Sequence, residues 1–167
     1  MPLKRVFLGL GTNLGDRDAN LHRALSALEA ERIHVLRKSS IYETEPQDVK
    51  DQPWFLNMVV ECETRYFPIQ LLSVLNRIER DLGRERGRRA IPKGPRLIDV
   101  DILLFGSVCI ETPELTIPHP RMLNRRFVLE PLVEIAPDLR LPTNGKLIKD
   151  ALVKVSAQQI RRREPAS

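Results

Sequence analysis

The chain predicts an α+β fold: a ferredoxin-like βαββαβ core with a C-terminal strand and helix extension, in three αβα layers. Three observations predict it. Apolar segments of strand character lie near residues 5–10, 33–42, 56–64 and 97–105. Two other segments, to about Ala30 and over 68–82, carry apolar residues at helical spacing. Their order along the chain is strand, helix, strand, strand, helix, strand. At 167 residues one hydrophobic core suffices. A single domain over residues 1–160 is therefore expected, with a flexible tail at 161–167.

The elements follow in order. Arg5–Leu10 is strand-like, and Asp16 or Asp18 is placed to cap a helix whose Leu21, Ala24, Leu25 and Leu28 recur on one face. The intervening Gly9-Leu10-Gly11-Thr12-Asn13-Leu14-Gly15 is no dinucleotide fingerprint, since leucine stands where glycine is needed, and no Gly-Lys-Ser/Thr follows. It reads as a strand-to-helix turn needing positive φ or close backbone approach. A second strand is expected over 33–42 and a third over 56–64, joined by the polar, proline-bearing loop 43–54. The next helix has Leu71, Leu72, Leu75, Ile78 and Leu82 as its stripe, with Gly83 as the left-handed terminating residue. After the fourth strand, a turn at Gly106-Ser107 leads to a partner strand from Val108. A proline-rich stretch, a short helix over 127–135 and a final helix over 146–158 complete the chain. The arginine-rich end reads as a solvated tail.

Composition excludes several classes. A chain 42% hydrophobic and 29% charged is ordinary for a soluble globular protein; it has no apolar run of membrane-spanning length, and no cleavable signal sequence is expected. A cytoplasmic location without membrane association is expected. Cys62 and Cys109 are too few for a disulfide framework or a Cys-x-x-Cys zinc site, and Cys62 alternates with Met58 and Val60 as a core residue. His22, His34 and His119 are scattered without the spacing of a transition-metal site.

Chemistry concentrates around Asp99 and Asp101, set in Leu97-Ile98-Asp99-Val100-Asp101-Ile102-Leu103-Leu104-Phe105. Residues two apart in a strand share a face, so both carboxylates emerge side by side. At about 7 Å apart and an effective dielectric of about 20 they repel by roughly 2 to 3 kcal/mol. A surface pair on a wet face is the plain alternative. Against it stands the preceding loop, where Arg84, Arg86, Arg88, Arg89, Lys93 and Arg96 oppose the single acid Glu85 and give a net +5, the charge of the whole chain. A carboxylate pair beside clustered guanidinium groups suits a polyphosphate bound with magnesium. Arg84, Arg86 and Arg96 are the stronger candidates, Arg96 standing at the mouth of the aspartate strand, whereas Arg88 and Arg89 read as solvated. His119 is held between Pro118 and Pro120 at a set angle. Phe55 and Asn57 share a strand face, and with Phe127 they form two rings and an amide able to sandwich a flat heterocycle. Core packing is the alternative for the rings.

GTNLG at 11–15, DQPWFLN at 51–57, the arginine loop, GPRLIDVDILLFG at 94–106 and IPHPRMLNRRFVLEPL at 117–132 together resemble the 6-hydroxymethyl-7,8-dihydropterin pyrophosphokinase family of folate biosynthesis. The resemblance runs in order over residues 4–155. It implies transfer of the β,γ-diphosphate of ATP to the pterin hydroxymethyl oxygen, with release of AMP. It further implies that Asp99 and Asp101 hold two magnesium ions, and that Arg84, Arg86, Arg96, His119 and Arg125 contact phosphates or organise the loop over them. The catalytic group would be Asp99, Asp101, Arg84 and Arg96. Glu79 would help bind ATP, Thr44 and Asn57 would hydrogen-bond the pterin, and Phe55 and Phe127 would stack on its faces. The partners implied are small molecules only, with no nucleic acid, and a monomer is expected. No catalytic base is assigned. Departures from the pattern are Phe55 where family members can carry tyrosine, Lys93 where some have tryptophan, a longer arginine loop and an acidic 45–50 segment.

Two rival readings are a small RNA-binding module of the same topology and a magnesium-dependent phosphohydrolase. The first fits poorly because aromatics are only 5% of the chain, and base-stacking sheets need them on central strands.

Overall fold

The computed structural model describes residues 2–46, 51–84 and 97–163, apart from the Arg84 side chain. Alternating side chains put Val6, Leu8 and Leu10 of β1 (Lys4–Thr12) on one sheet face, together with Leu56, Met58 and Val60 of β4 (Phe55–Thr64). Val100 and Ile102 of β5 (Asp99–Phe105) join them. Two helices cover this face: α1 (Arg17–Ala30) through Leu21, Ala24 and Leu28, and α2 (Pro68–Arg84) through Leu71, Leu75 and Ile78. The other face presents Phe7, Val59, Leu103 and Leu104 to Val128, Leu129 and Leu132 of α3 (Arg126–Ile135). Ile148 and Val155 from a run of 3-10 turns at Ile148–Val155 pack there too. The result is the expected αβα layering.

The remaining strands are β2 (His34–Lys38), β3 (Tyr42–Thr44), β6 (Ile110–Glu111), β7 (Thr116–Ile117) and β8 (Ile160–Arg162). The main sheet runs β5-β1-β4-β3-β8, with β2 also on β4, and its pairings are antiparallel. Counting β2 and β3 as one interrupted strand restores the ferredoxin-like order. The turn after β1 is fixed as its sequence suggested: Gly15 has φ 69° and Asp16 caps α1, accepting from the Ala19 amide at 3.1 Å.

Five expectations are corrected. The strand expected over 33–42 is broken, because the Ser39 hydroxyl takes the Val59 amide at 2.9 Å where a ladder carbonyl would stand. The loop expected from 43 therefore begins later, after β3. Gly83 does not end its helix: it lies within α2, which continues to Arg84, and it is not among the positive-φ glycines. Glycine permits left-handed backbone without requiring it. The partner strand after Gly106 pairs with β7 and not with β5; a later residue bonds β5 instead, the His119 amide donating to the Leu103 carbonyl at 2.9 Å. The final helix is a series of 3-10 turns, with i to i−3 bonds such as the Asp150 amide to the Leu147 carbonyl at 3.3 Å. Finally, the arginine-rich end is not all frayed. Ile160–Arg162 extend the sheet beside β3, and Arg163 donates to both Asp18 oxygens at 2.9 Å. Residues 164–167 lie outside the described residues. No helix among the described residues is long and apolar enough to cross a membrane.

Candidate active site

Two glycines in the central strand open the second sheet face beyond the end of α3. In the register of β1 with β5, Gly9 stands opposite Asp101 and Gly11 opposite Asp99. On its other side Gly11 faces Asn57 of β4. A β-carbon at Gly11 would lie 3.0 Å from Asn57 Oδ1 and 3.7 Å from the Phe55 ring, so glycine is what lets these side chains close over the strand. The space left is a cavity of about 390 Å³.

Eight of the residues singled out from sequence meet in it: Asp99, Asp101, His119 and Arg125, with Thr44, Phe55, Asn57 and Phe127. The period-two argument for the aspartates holds, both facing one cavity. At the carboxylate end, the His119 amide bonds the Leu103 carbonyl at 2.9 Å, and ring Nδ1 accepts from the Arg121 amide at 3.1 Å. In the neutral ring the proton therefore sits on Nε2. Burial, then Arg125 and Arg121, hold its pKa below the usual 6.5 against an opposing pull from Asp99. Arg125 lies 5.4 Å from the Phe127 ring centre, in cation–π range.

Glu79 does not line the cavity. It rises from α2 to a hydrogen bond with Asp99, and the Val100 amide donates to it. Burial pushes its carboxyl up to about 9, with the negative charge of Asp99 and Asp101 adding to the shift. The upward shift favours the protonated carboxyl, the form that can donate to Asp99.

At the opposite end, buried Asn57 donates from Nδ2 to Thr44 Oγ1 at 2.7 Å, which fixes which way its amide points. Phe55 and Phe127 bring rings to the same space. Such a half-apolar recess with a few oriented polar groups suits a flat heterocycle.

The side chain of Arg84, and Arg86 and Arg96 entirely, lie outside the described residues, as do Arg88, Arg89, Lys93 and residues 47–50. Sequence reasoning missed Glu45, Gln52 and Arg121, which also line the cavity. It missed how the turn holds the site as well. Asn13 Nδ2 donates to Gln52 Oε1 at 2.9 Å and to the Pro53 carbonyl at 3.0 Å, tying the approach to β4 against the cavity. Thr12 Oγ1 donates to the Leu97 carbonyl at 2.5 Å and receives Asn20 Nδ2 at 3.1 Å, anchoring the chain just before Asp99. Consecutive polar residues ending an apolar strand are the signal that points to such anchors.

The donor set fits a magnesium ion. Two hard carboxylates face one cavity, and the negative charge they crowd together adds to the upward pKa shift of Glu79 beside them. Among the described residues, no group of three or more His, Cys, Asp or Glu side chains is arranged to enclose a metal. An ion held here would complete its shell with water and substrate oxygens, as magnesium does in phosphate-transfer sites.

A family model described as 7,8-dihydro-6-hydroxymethylpterin-pyrophosphokinase (HPPK) matches residues 7–137. The 2-amino-4-hydroxy-6-hydroxymethyldihydropteridine pyrophosphokinase of Methylorubrum extorquens is 42% identical over 163 residues, spanning 97% of this chain and 100% of the relative. The Bacillus subtilis protein of the same name is 48% identical over 131 residues, 78% of this chain and 77% of the relative. The folic acid synthesis protein fol1 of Schizosaccharomyces pombe is 45% identical over 159 residues, but this chain spans only 21% of its length. Among solved structures, an HPPK-DHPS in complex with substrates superposes with TM-score 0.72 at 16% identity, over 92% of this chain and 43% of that one. At that identity the likeness speaks for the fold alone.

Proposed function

Because the chain belongs to the 7,8-dihydro-6-hydroxymethylpterin-pyrophosphokinase family, we propose that it transfers the β,γ-diphosphate of ATP to the hydroxymethyl oxygen of 6-hydroxymethyl-7,8-dihydropterin. The products are AMP and the pterin diphosphate, and the step belongs to folate biosynthesis. One observation carries the reading: a single cavity joins a carboxylate pair to an amide set between two aromatic rings. A phosphohydrolase needs the first feature only.

Asp99 and Asp101 would hold two magnesium ions, which would supply charge neutralisation for the triphosphate and make the acceptor hydroxyl more acidic. Glu79 props Asp99 through its hydrogen bond and stands on the nucleotide side. His119 donates from Nε2 and Arg125 gives charge to phosphate oxygens, with Arg84, Arg86 and Arg96 completing the clamp. Negative charge grows on the departing oxygens as the bond breaks, so fixed donors of this kind lower the barrier without a covalent step. Thr44 and Asn57 orient the pterin edge, and Phe55 and Phe127 stack on its faces and exclude water. The enzyme is proposed to act as a cytoplasmic monomer. Apart from this cavity, both sheet faces are packed under helices or turns, which leaves no wide aromatic platform among the described residues for an RNA-binding reading.

The test is to incubate the protein with ATP and magnesium, with and without 6-hydroxymethyl-7,8-dihydropterin. AMP formation that requires the pterin, stops with EDTA and resumes with magnesium is the expected result. Phosphate release indifferent to pterin would make this a hydrolase.

A further inference from the structure

Residues 156–163 stand outside the cavity lining, yet they are bonded to both of its pterin-side walls. Arg125, at the N-cap of α3, offers no side-chain cap, and the task falls to Gln158 from far along the chain. Its Oε1 accepts from the Arg126 amide at 2.9 Å and its Nε2 donates to the Asn124 carbonyl at 2.9 Å. The two bonds bracket Arg125 and end one residue short of Phe127. Arg126 returns two more, from its guanidinium to the Ser156 and Gln158 carbonyls at 3.1 and 2.8 Å.

Two residues on, the same segment becomes β8. There Ile160 pairs with Thr44 and Arg161 with Glu43, and the Arg163 amide donates to the Ile41 carbonyl at 2.7 Å. Glu43 gathers Arg17, Arg161 and Arg163 at 3.7, 3.4 and 3.9 Å. The next residue, Thr44, accepts from Asn57. One wall of the recess thus carries Phe127 and the other Thr44 with Asn57, and the C-terminal segment spans the two. At the other end of α3 the same helix is already tied to the β3 region, Glu134 accepting from Tyr42 at 2.7 Å and from the Ser40 hydroxyl at 2.8 Å. Arg162 of the same segment also reaches Glu134, at 3.6 Å, so the bonds that act at the cavity end are those of Gln158 and Arg126.

We infer that residues 156–163 form a strap that sets the width of the pterin recess, with Gln158 as its principal positioning residue. The inference rests on the reading of that end as the pterin site.

The test compares wild type, Gln158→Ala, Gln158→Glu and Arg163→Ala in steady-state kinetics with each substrate varied. Gln158→Ala is expected to raise KM for the pterin about threefold to tenfold while KM for ATP moves by less than about twofold. Gln158→Glu keeps the acceptor for the Arg126 amide and is expected to recover part of the loss. Trp54, the single tryptophan, lines a second cavity of about 360 Å³ with Gln158 and Arg161. Its emission is therefore expected to shift in Gln158→Ala and in Arg163→Ala. Unchanged pterin KM in both variants, or a parallel rise in both KM values that follows the melting temperature, overturns the strap. Wild-type protein that binds no pterin by titration calorimetry overturns the reading of the recess itself, a separate failure.

Discussion

Replacing Asp101 by asparagine removes one of two like charges on the cavity face while leaving the Glu79–Asp99 hydrogen bond in place. With strand neighbours on one face about 7 Å apart and an effective dielectric of about 20, the repulsion relieved is roughly 2 kcal/mol. The cavity rim is partly wet, so about 1 kcal/mol of net stabilisation is the conservative expectation. For a chain of this size that raises the melting temperature by about 2 to 4 °C. The assay is urea and thermal unfolding of wild type and Asp101→Asn in EDTA at low ionic strength. Repetition at high salt should shrink the difference, because the repelling charges face solvent. Adding magnesium and ATP should invert the order. Ligand at about a hundred times its Kd stabilises wild type by about 2.7 kcal/mol, whereas Asp101→Asn gains far less and turns over no substrate. If the asparagine variant is less stable than wild type in EDTA, or if nucleotide protects both equally, then the paired carboxylates are not a strained cation site and the reasoning fails.

Other predictions concern the rest of the cavity. Gly11→Ala puts a methyl group 3.0 Å from Asn57 Oδ1, so the amide must shift and the pterin KM should rise more than that of ATP, as substrate-varied kinetics will register. Phe127→Leu removes one ring and its cation–π contact with Arg125, and pterin affinity measured by calorimetry should fall about threefold to tenfold. His119 has a folded-state pKa below the 6.5 of the free side chain. Unfolding therefore takes up a proton in that range, and the stability its neutral form contributes is present above about pH 6.5 and lost as pH falls through the folded value. Urea unfolding of His119→Gln between pH 7 and 5 should accordingly show a shallower pH dependence than wild type. Leu8→Ala, at a fully buried site under both helices of the first face, should cost about 2 to 5 kcal/mol in urea unfolding.

Much of this site was legible because strand periodicity is a rigid rule. Asp99 and Asp101 two apart, and Phe55 and Asn57 two apart, had to share faces, and the chain's βαββαβ order brought those faces together. The helices α1 and α2 were equally legible from their apolar stripes. What escaped depended on single long-range bonds. Nothing local announces that the Ser39 hydroxyl will stand in for a ladder carbonyl at Val59, or that Gln158 will cap a helix that begins at residue 126. The arginine-rich end looked like a tail because it is a solvated edge strand, β8, and the residue after it, whose arginines pair with acids far away in sequence: Arg161 with Glu43, Arg162 with Glu134 and Arg163 with Asp18. The raised pKa of Glu79 depends on burial and on two neighbours from another element, none of which is written near position 79.

The bareness of β1 at positions 9 and 11 has a dynamic corollary. The recess is hollowed by withholding atoms from an interior strand, and both flanking ladders run through it unbroken at these residues. Its base consequently cannot breathe independently of the molecule. Amide deuterium exchange along Gly9 to Gly11 should proceed only through global opening, at rates set by total conformational stability, while surrounding rims exchange by cheaper local excursions.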